Sequence, residues 1–200
     1  MYAKFFKRVL DIAISFLAIP FVFLVIAVMA PIIHLEDKGP VFYNAHRRGK
    51  DGKTFTMFKL RSMCVDAPDL KNSDGSTFNS ANDARVTKVG RFMRKTSIDE
   101  LPQILNVFLG DMSFIGPRPT LAVVPYEQLP ELNKRRLAVR PGITGYAQAY
   151  YRNSIAQQEK FQHDCYYAEN LTFALDVKIL FQTIKSVLKR ENIYVSTDTH

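Results

Sequence analysis

From Ile12 to Ile33 the chain runs for 22 residues without a charge, and most of its side chains are Ile, Val, Leu, Phe or Ala. As a helix, such a run is long enough to cross a hydrocarbon core and longer than an ordinary buried helix needs. No other stretch limits the fold so strongly. Lys4, Lys7 and Arg8 precede it, as in a secretory signal. The length of the run argues against a signal peptide, as do Pro31 and His34 standing where a small-x-small cleavage site would be. Glu36, Asp37 and Lys38 follow, and then Arg47, Arg48, Lys50 and Lys53. Cations on both flanks give no orientation by the positive-inside rule. Pro20, near the middle, removes one backbone donor and presses its ring on the carbonyl four residues back. On the residues alone two shapes stay open. One is a kinked helix that spans; the other is a helix–break–helix that enters one leaflet and returns.

The remainder, 37–200, reads as one domain on a membrane-associated segment at 1–36. Hydrophobic residues make up 47% of the chain and charged residues 23%, which excludes a disordered tail. Cys64 and Cys165 are too few for a disulfide scaffold, and with four scattered His they form no zinc pattern. The net charge of +8 calls for an anionic partner: a nucleic acid, an anionic membrane surface or a phosphorylated substrate.

The expected fold class is α+β, mostly helical, with a small β-hairpin. Val41–Tyr43 and Thr54–Leu60 read as its strands, joined across Arg47-Arg48-Gly49-Lys50-Asp51-Gly52. Residues 64–84 read as an exposed polar loop, and 85–95 as a short basic helix. Helices are expected over 97–109, 126–139, 155–169 and 173–190, with rigid loops at 113–119 and 140–145. The last helix carries Leu180, Ile184, Val187 and Leu188 on one apolar face, beside Lys185, Lys189 and Arg190. Such a face suits a membrane surface, although packing on a core is its commoner use.

Asp99-Glu100 is the most informative pair. Ser97-Ile98-Asp99-Glu100 fits a capping box, with both acids near the positive end of a helix dipole. Adjacent acids there can also face one cavity, one as nucleophile or Mg²⁺ ligand and the other moving protons. The two readings are compatible. Arg118 lies between Pro117 and Pro119, which fix the backbone that carries a phosphate-binding guanidinium. Lys59 and Arg61 alternate along the second strand and should share a face. Arg94 is near enough in sequence to pair with Asp99. His163-Asp164-Cys165 reads as structural. There is no Asp-x-Asp, no P-loop and no G-x-S-x-G.

Several segments together resemble the bacterial sugar transferase family, the monotopic phosphoglycosyl transferases, and their small PglC type in particular. They are Phe58-Lys59-Leu60-Arg61-Ser62-Met63, Thr96 to Gln103, Asn106-Val107, Gly110 to Pro119, and Arg140-Pro141-Gly142-Ile143-Thr144-Gly145. The resemblance implies transfer of a phospho-sugar from a UDP-sugar to polyprenol (undecaprenyl) phosphate, with release of UMP, to begin glycoconjugate or polysaccharide assembly. It implies Mg²⁺ and a ping-pong route through a covalent phospho-sugar on Asp99, with Glu100 as partner acid/base. It implies phosphate, nucleotide or supporting roles for Lys59, Arg94, Arg118, Arg152 and Asp176. It also implies a re-entrant helix broken at a Ser-Pro pair, at the cytoplasmic face of the bacterial inner membrane, with no nucleic-acid partner. Here the pair is Ile19-Pro20, and Ser15 lies one turn earlier. Tyr150-Tyr151-Arg152-Asn153 departs from the Asn-Gly-Arg-Asn of the family. The sugar, the pathway and the oligomeric state stay open. The rival readings are a membrane-tethered nucleic-acid binder, for which no helix-turn-helix or RNP-like pattern is present, and a non-catalytic adaptor in which Asp99 only caps a helix.

Overall fold

The structure is a computed structural model that describes residues 1–68, 70, 80, 82–152 and 154–189. The centre of the expected 64–84 loop, together with Asn153 and Arg190, lies outside the described residues, and so does the side chain of Leu188.

One π turn over Tyr2–Phe6 leads into helix α1, Lys7–Asp37. Its backbone stays helical through Pro20 and Pro31. Each proline only removes the bond to the carbonyl four residues earlier, Phe16 or Ala27. The Ser15 hydroxyl donates to the Asp11 carbonyl and lies 3.1 Å from that of Ile12. This is back-bonding within the helix and does not satisfy the Phe16 carbonyl that Pro20 leaves without its bond.

Asp11, Ser15, Val22, Met29 and Ile33 are buried at helical spacing, while Phe16, Leu17, Phe21, Leu24 and Val28 are exposed opposite them. The packed stripe runs from one end of α1 to the other. Near its start, Lys7 pairs with Asp176, Arg8 donates to the carbonyls of Val107 and Phe108, and Asp11 accepts from Ser113 and the Phe114 amide. Near its end, Met29 and Ile33 pack on Leu60 and Met93, Glu36 accepts from the Lys88 amide, and Asp37 pairs with Arg61. Both ends of α1 thus rest on one body. A free span would carry them to opposite sides of a bilayer.

The first strand of the hairpin lies after the expected Val41–Tyr43, and the second begins at the expected Thr54 but ends at Met57. Strands β1, Ala45–Arg48, and β2, Thr54–Met57, pair antiparallel with Ala45 opposite Met57 and Arg48 opposite Thr54. Arg47 and Arg48 are therefore strand residues. The reversal needs only Gly49 to Lys53, with Asp51 and Gly52 at positive φ. A bridge between Phe42 and Leu60 extends the ladder irregularly. Lys59 and Arg61 consequently diverge: Lys59 meets the acids of the 98–100 turn, and Arg61 meets Asp37.

Helix α2, Lys88–Thr96, is capped by the Thr87 hydroxyl. Helix α3 spans Gln103–Leu109. The expected rigid loops at 113–119 and 140–145 each hold a strand. Strand β3, Ser113–Ile115, runs parallel to a later strand, and β4, Thr120–Leu121, adds to the hairpin in the order β2-β1-β4. The helix expected over 126–139 is divided by Pro130 into a 3₁₀ turn and helix α4, Glu131–Arg136. Strand β5, Gly142–Thr144, pairs with β3, with Ser113 opposite Gly142. A Cβ on Gly142 would collide with the Gly116 backbone, so this close approach needs glycine.

Helices α5, Tyr146–Tyr150, α6, Gln157–Glu169, and α7, Phe173–Lys189, complete the body. The apolar face expected on the last helix points outward. Leu180, Ile184 and Val187 are exposed, whereas Asp176, Ile179 and Ser186 face the interior. The helix meets the core through Ile179 and through Asp176, which bonds Tyr2, Lys7 and Tyr167, and the expected apolar face is left outside.

Candidate active site

The capping box is not formed. Ser97 closes α2 at φ 58, and its side chain caps nothing. The Asp99-Glu100 pair instead sits in a 3₁₀ turn, Ile98–Glu100, between α2 and α3. This geometry follows from the sequence. Pro102 blocks a helix continuous with the turn, and Ile98 packs against the Met29–Leu60–Met93 core. The Leu60 amide donates to the Asp99 carbonyl at 3.0 Å, which sets the neighbouring Lys59 above the acids.

Asp99 is 2% exposed. Its Oδ2 lies 2.8 Å from Lys59 Nζ, and the same ammonium is 3.5 Å from Glu100 Oε1. The approach to Asp99 is an ion pair off the hydrogen-bonding direction, and buried Oδ2 accepts no hydrogen bond. Arg118 Nη2 stands 3.8 Å from Glu100 Oε1, with its own side chain 62% exposed. Burial pushes the Glu100 carboxyl up, but Lys59, Arg118 and Arg94 outweigh it and hold the group below the ordinary glutamate value. Glu100 is therefore ionised at neutral pH. Arg94 donates to the Ser62 hydroxyl at 3.0 Å.

Of the residues singled out in the sequence, Lys59, Asp99, Glu100 and Arg118 form one cluster, with Arg94 contributing charge at its edge. Asp176 lies in a different cluster. It accepts from the Tyr2 hydroxyl at 2.6 Å, the Tyr167 hydroxyl at 2.7 Å and Lys7 at 2.6 Å, and so binds the start of α1 to α6 and α7. Arg152, at φ 49, lines a pocket of about 130 Å³ between α5 and α7 with Tyr150, Tyr151, Gln182, Lys185, Ser186 and Lys189. The lining of that pocket includes neither Asp99 nor Glu100. Of His163-Asp164-Cys165, His163 stacks on Tyr151, Asp164 binds buried Arg136, and the Cys165 thiol donates to the Leu132 carbonyl. Sequence reasoning passed over Arg136, which no motif distinguishes from the neighbouring Lys134 and Arg135.

The cluster can support in-line attack by a carboxylate on a phosphoanhydride. An acid with spare acceptor capacity is flanked by an ionised acid and by cations that offset the repulsion of a diphosphate. Among the described residues no group of three His, Cys, Asp or Glu could hold a metal. A site of one or two carboxylates completed by water and substrate phosphates suits Mg²⁺, which keeps several waters and rarely uses an all-protein cage. Asp99 and Glu100 are the carboxylates that such a site could use.

The bacterial sugar transferase family model matches residues 2–190. The chain is 40% identical over 190 residues to the sugar transferase EpsL of Bacillus subtilis, covering 94% of this chain and 89% of the relative. It is 40% identical over 189 residues to an Aeromonas hydrophila UDP-N-acetylgalactosamine-undecaprenyl-phosphate N-acetylgalactosaminephosphotransferase, covering 92% of this chain. It is 41% identical over 187 residues to a Klebsiella pneumoniae UDP-glucose:undecaprenyl-phosphate glucose-1-phosphate transferase, covering 90% of this chain. The chain spans only 44% and 39% of the length of those last two relatives.

Proposed function

Because the chain belongs to the bacterial sugar transferase family, we propose that it moves a phospho-sugar from a UDP-sugar to a polyprenol phosphate such as undecaprenyl phosphate, releasing UMP. The observation that carries this reading is the buried Asp99 carboxylate, ion-paired but accepting no hydrogen bond, beside an ionised Glu100 and within reach of Lys59. The relatives named for UDP-sugars and undecaprenyl phosphate support the substrate class.

In the first half-reaction an Asp99 oxygen attacks the phosphorus that bears the sugar. The bond from that phosphorus to the bridging oxygen breaks, and UMP leaves with the electron pair. Asp99 becomes an acyl phosphate carrying the sugar. In the second half-reaction an oxygen of polyprenol phosphate attacks the same phosphorus, the acyl–phosphate bond breaks, and the carboxylate returns. Glu100 accepts the proton of the incoming phosphate, as its ionised state allows. Lys59 aligns Asp99 and, with Arg118, offsets the charge of the diphosphate. Asp99 would hold Mg²⁺, which when bound would supply further charge neutralisation. The exposed apolar face of α1 dips into one leaflet while both ends of the helix stay on the cytoplasmic side with the body. The acceptor's phosphate then meets the site at the lipid edge.

Intact mass spectrometry tests the covalent route. After incubation with UDP-glucose, UDP-galactose or UDP-N-acetylgalactosamine and no acceptor, one donor adds a single phospho-sugar mass, and Asp99→Asn adds none. Product formed from donor and acceptor with the polypeptide never modified removes Asp99 as nucleophile.

A further inference from the structure

Arg118 touches the site through an exposed side chain, so its aim depends on its backbone. Three consecutive residues of that backbone are pinned. The Gly116 amide donates to the Thr144 carbonyl at 2.9 Å, the Pro117 carbonyl accepts from the Gly142 amide at 3.0 Å, and the Arg118 carbonyl accepts from Arg136 Nη2 at 2.6 Å. The first two bonds belong to the β3–β5 junction. The third comes from a guanidinium that is 2% exposed, far from the protein surface where arginine usually lies. Asp164 Oδ2 holds it through Nε at 3.0 Å and Nη2 at 2.6 Å, and the Phe161 ring lies 4.5 Å from its guanidinium carbon. A fold needing only stability could fill this space with apolar side chains, because a buried ion pair seldom exceeds its own desolvation cost. What an apolar filling cannot supply is a directed donor to the Arg118 carbonyl.

We propose that the buried Arg136–Asp164 pair is a positioning device that fixes the Arg118 backbone and thereby aims its guanidinium at Glu100 and the substrate diphosphate. This rests on the reading of Lys59, Asp99, Glu100 and Arg118 as the transfer site. Arg136 and Asp164 are positioning residues; neither touches substrate. Arg136→Lys keeps the charge but loses the Nε bond to Asp164 and the planar fork that fixes Nη2 between Asp164 and the Arg118 carbonyl.

The test is a double-mutant cycle on the full chain in detergent or vesicles with undecaprenyl phosphate as acceptor, reading steady-state UMP release from UDP-glucose, UDP-galactose and UDP-N-acetylgalactosamine. Arg136→Lys lowers kcat/KM by about tenfold or more, as small misplacements at a reacting centre do. In an Arg118→Ala background the same exchange changes kcat/KM by less than about twofold, because the aimed group is gone. A merely structural role would give equal losses in both backgrounds, and that result overturns the proposal, as does full activity of Arg136→Lys. If Arg136→Lys fails to fold, Asp164→Asn takes its place in the cycle. Should no donor yield UMP even with the unaltered protein, the transfer reading fails on its own, and amide hydrogen exchange decides the pair. Faster exchange at Gly116 and Arg118 in Asp164→Asn supports the device, and unchanged exchange there refutes it.

Discussion

The chain holds two kinds of buried acid, which differ in how their oxygens are bonded. Asp176 is saturated: two phenolic hydroxyls and an ammonium occupy its oxygens at 2.6–2.7 Å. Asp164 is likewise gripped twice by one guanidinium. Asp99 is buried as deeply, yet Oδ2 accepts no hydrogen bond, and the cations around the acid pair stand at 2.8–3.8 Å in a looser arrangement. A buried acid left partly unsatisfied is costly unless something arrives to satisfy it. Asp176 and Asp164 join elements, whereas Asp99 Oδ2 meets only the Lys59 ammonium, off its hydrogen-bonding direction.

The sharpest way to break that contrast is to neutralise the acid beside Asp99. Glu100→Gln should cut the rate of UMP release by about 10²- to 10⁴-fold, the span of a lost general base, with little change in thermal stability. Near-normal turnover would reduce Glu100 to a structural residue. The pH profile is a second reading of the same group. The folded protein holds Glu100 below its ordinary value of 4.5, so its charged form is favoured by the fold. Its contribution to stability is present above the unfolded value and fades as pH falls through the lower folded one. The acid limb it imposes on UMP release should therefore lie below pH 4.5. A limb between pH 5 and 7 that disappears in Glu100→Gln would contradict the electrostatic account.

The opposite pattern is expected at the saturated joint. Tyr167 donates its hydroxyl to Asp176 at 2.7 Å and lies 3.0 Å from the Ile115 carbonyl. Tyr167→Phe leaves a buried carboxylate one donor short, at a cost of about 1–3 kcal/mol. For a chain of this size that is a fall of several degrees in melting temperature. UMP release by the folded fraction at low temperature should be unaltered. A variant that melts normally but turns over slowly would place this joint among the working parts.

Parts of this contrast were readable from the sequence and parts were not. Asp99-Glu100, Lys59 and Arg118 stand out through the family motifs they belong to, because taken singly adjacent acids also fit a helix cap and the cations a solvated edge or surface loop. The long apolar run declares itself by length alone. What the sequence hides is partnership across distance. Ser97 looks like a cap, yet α2 ends on it in a left-handed turn, because Pro102 and the packing of Ile98 determine where α3 begins. The parallel pairing of β3 with β5 joins segments of three residues each, too short for any period to show. Arg136 is one of three consecutive cations, and only the fold places it beside Asp164 while leaving Arg135 to an exposed pair with Glu169.

The smallest expected effect concerns the outer face of α7, where the helix turns an apolar side outward. Phe181 is 68% exposed, and Leu180, Ile184 and Val187 are exposed with it. A monomer in water loses free energy by showing such a patch, whereas a body already held at a membrane by α1 gains by laying it on the interface. Since α1 supplies most of the apolar contact, α7 adds only the burial of a few side chains. Phe181→Ser combined with Ile184→Ser should weaken association with anionic vesicles by about 3 kcal/mol or less, because each side chain is only partly withdrawn from water. Flotation at graded lipid concentration measures this, and the shift should be visible only where lipid is limiting. If the double variant floats like the unaltered chain at every lipid concentration, α7 faces something other than the bilayer. The lipid-facing surface would then be that of α1 alone.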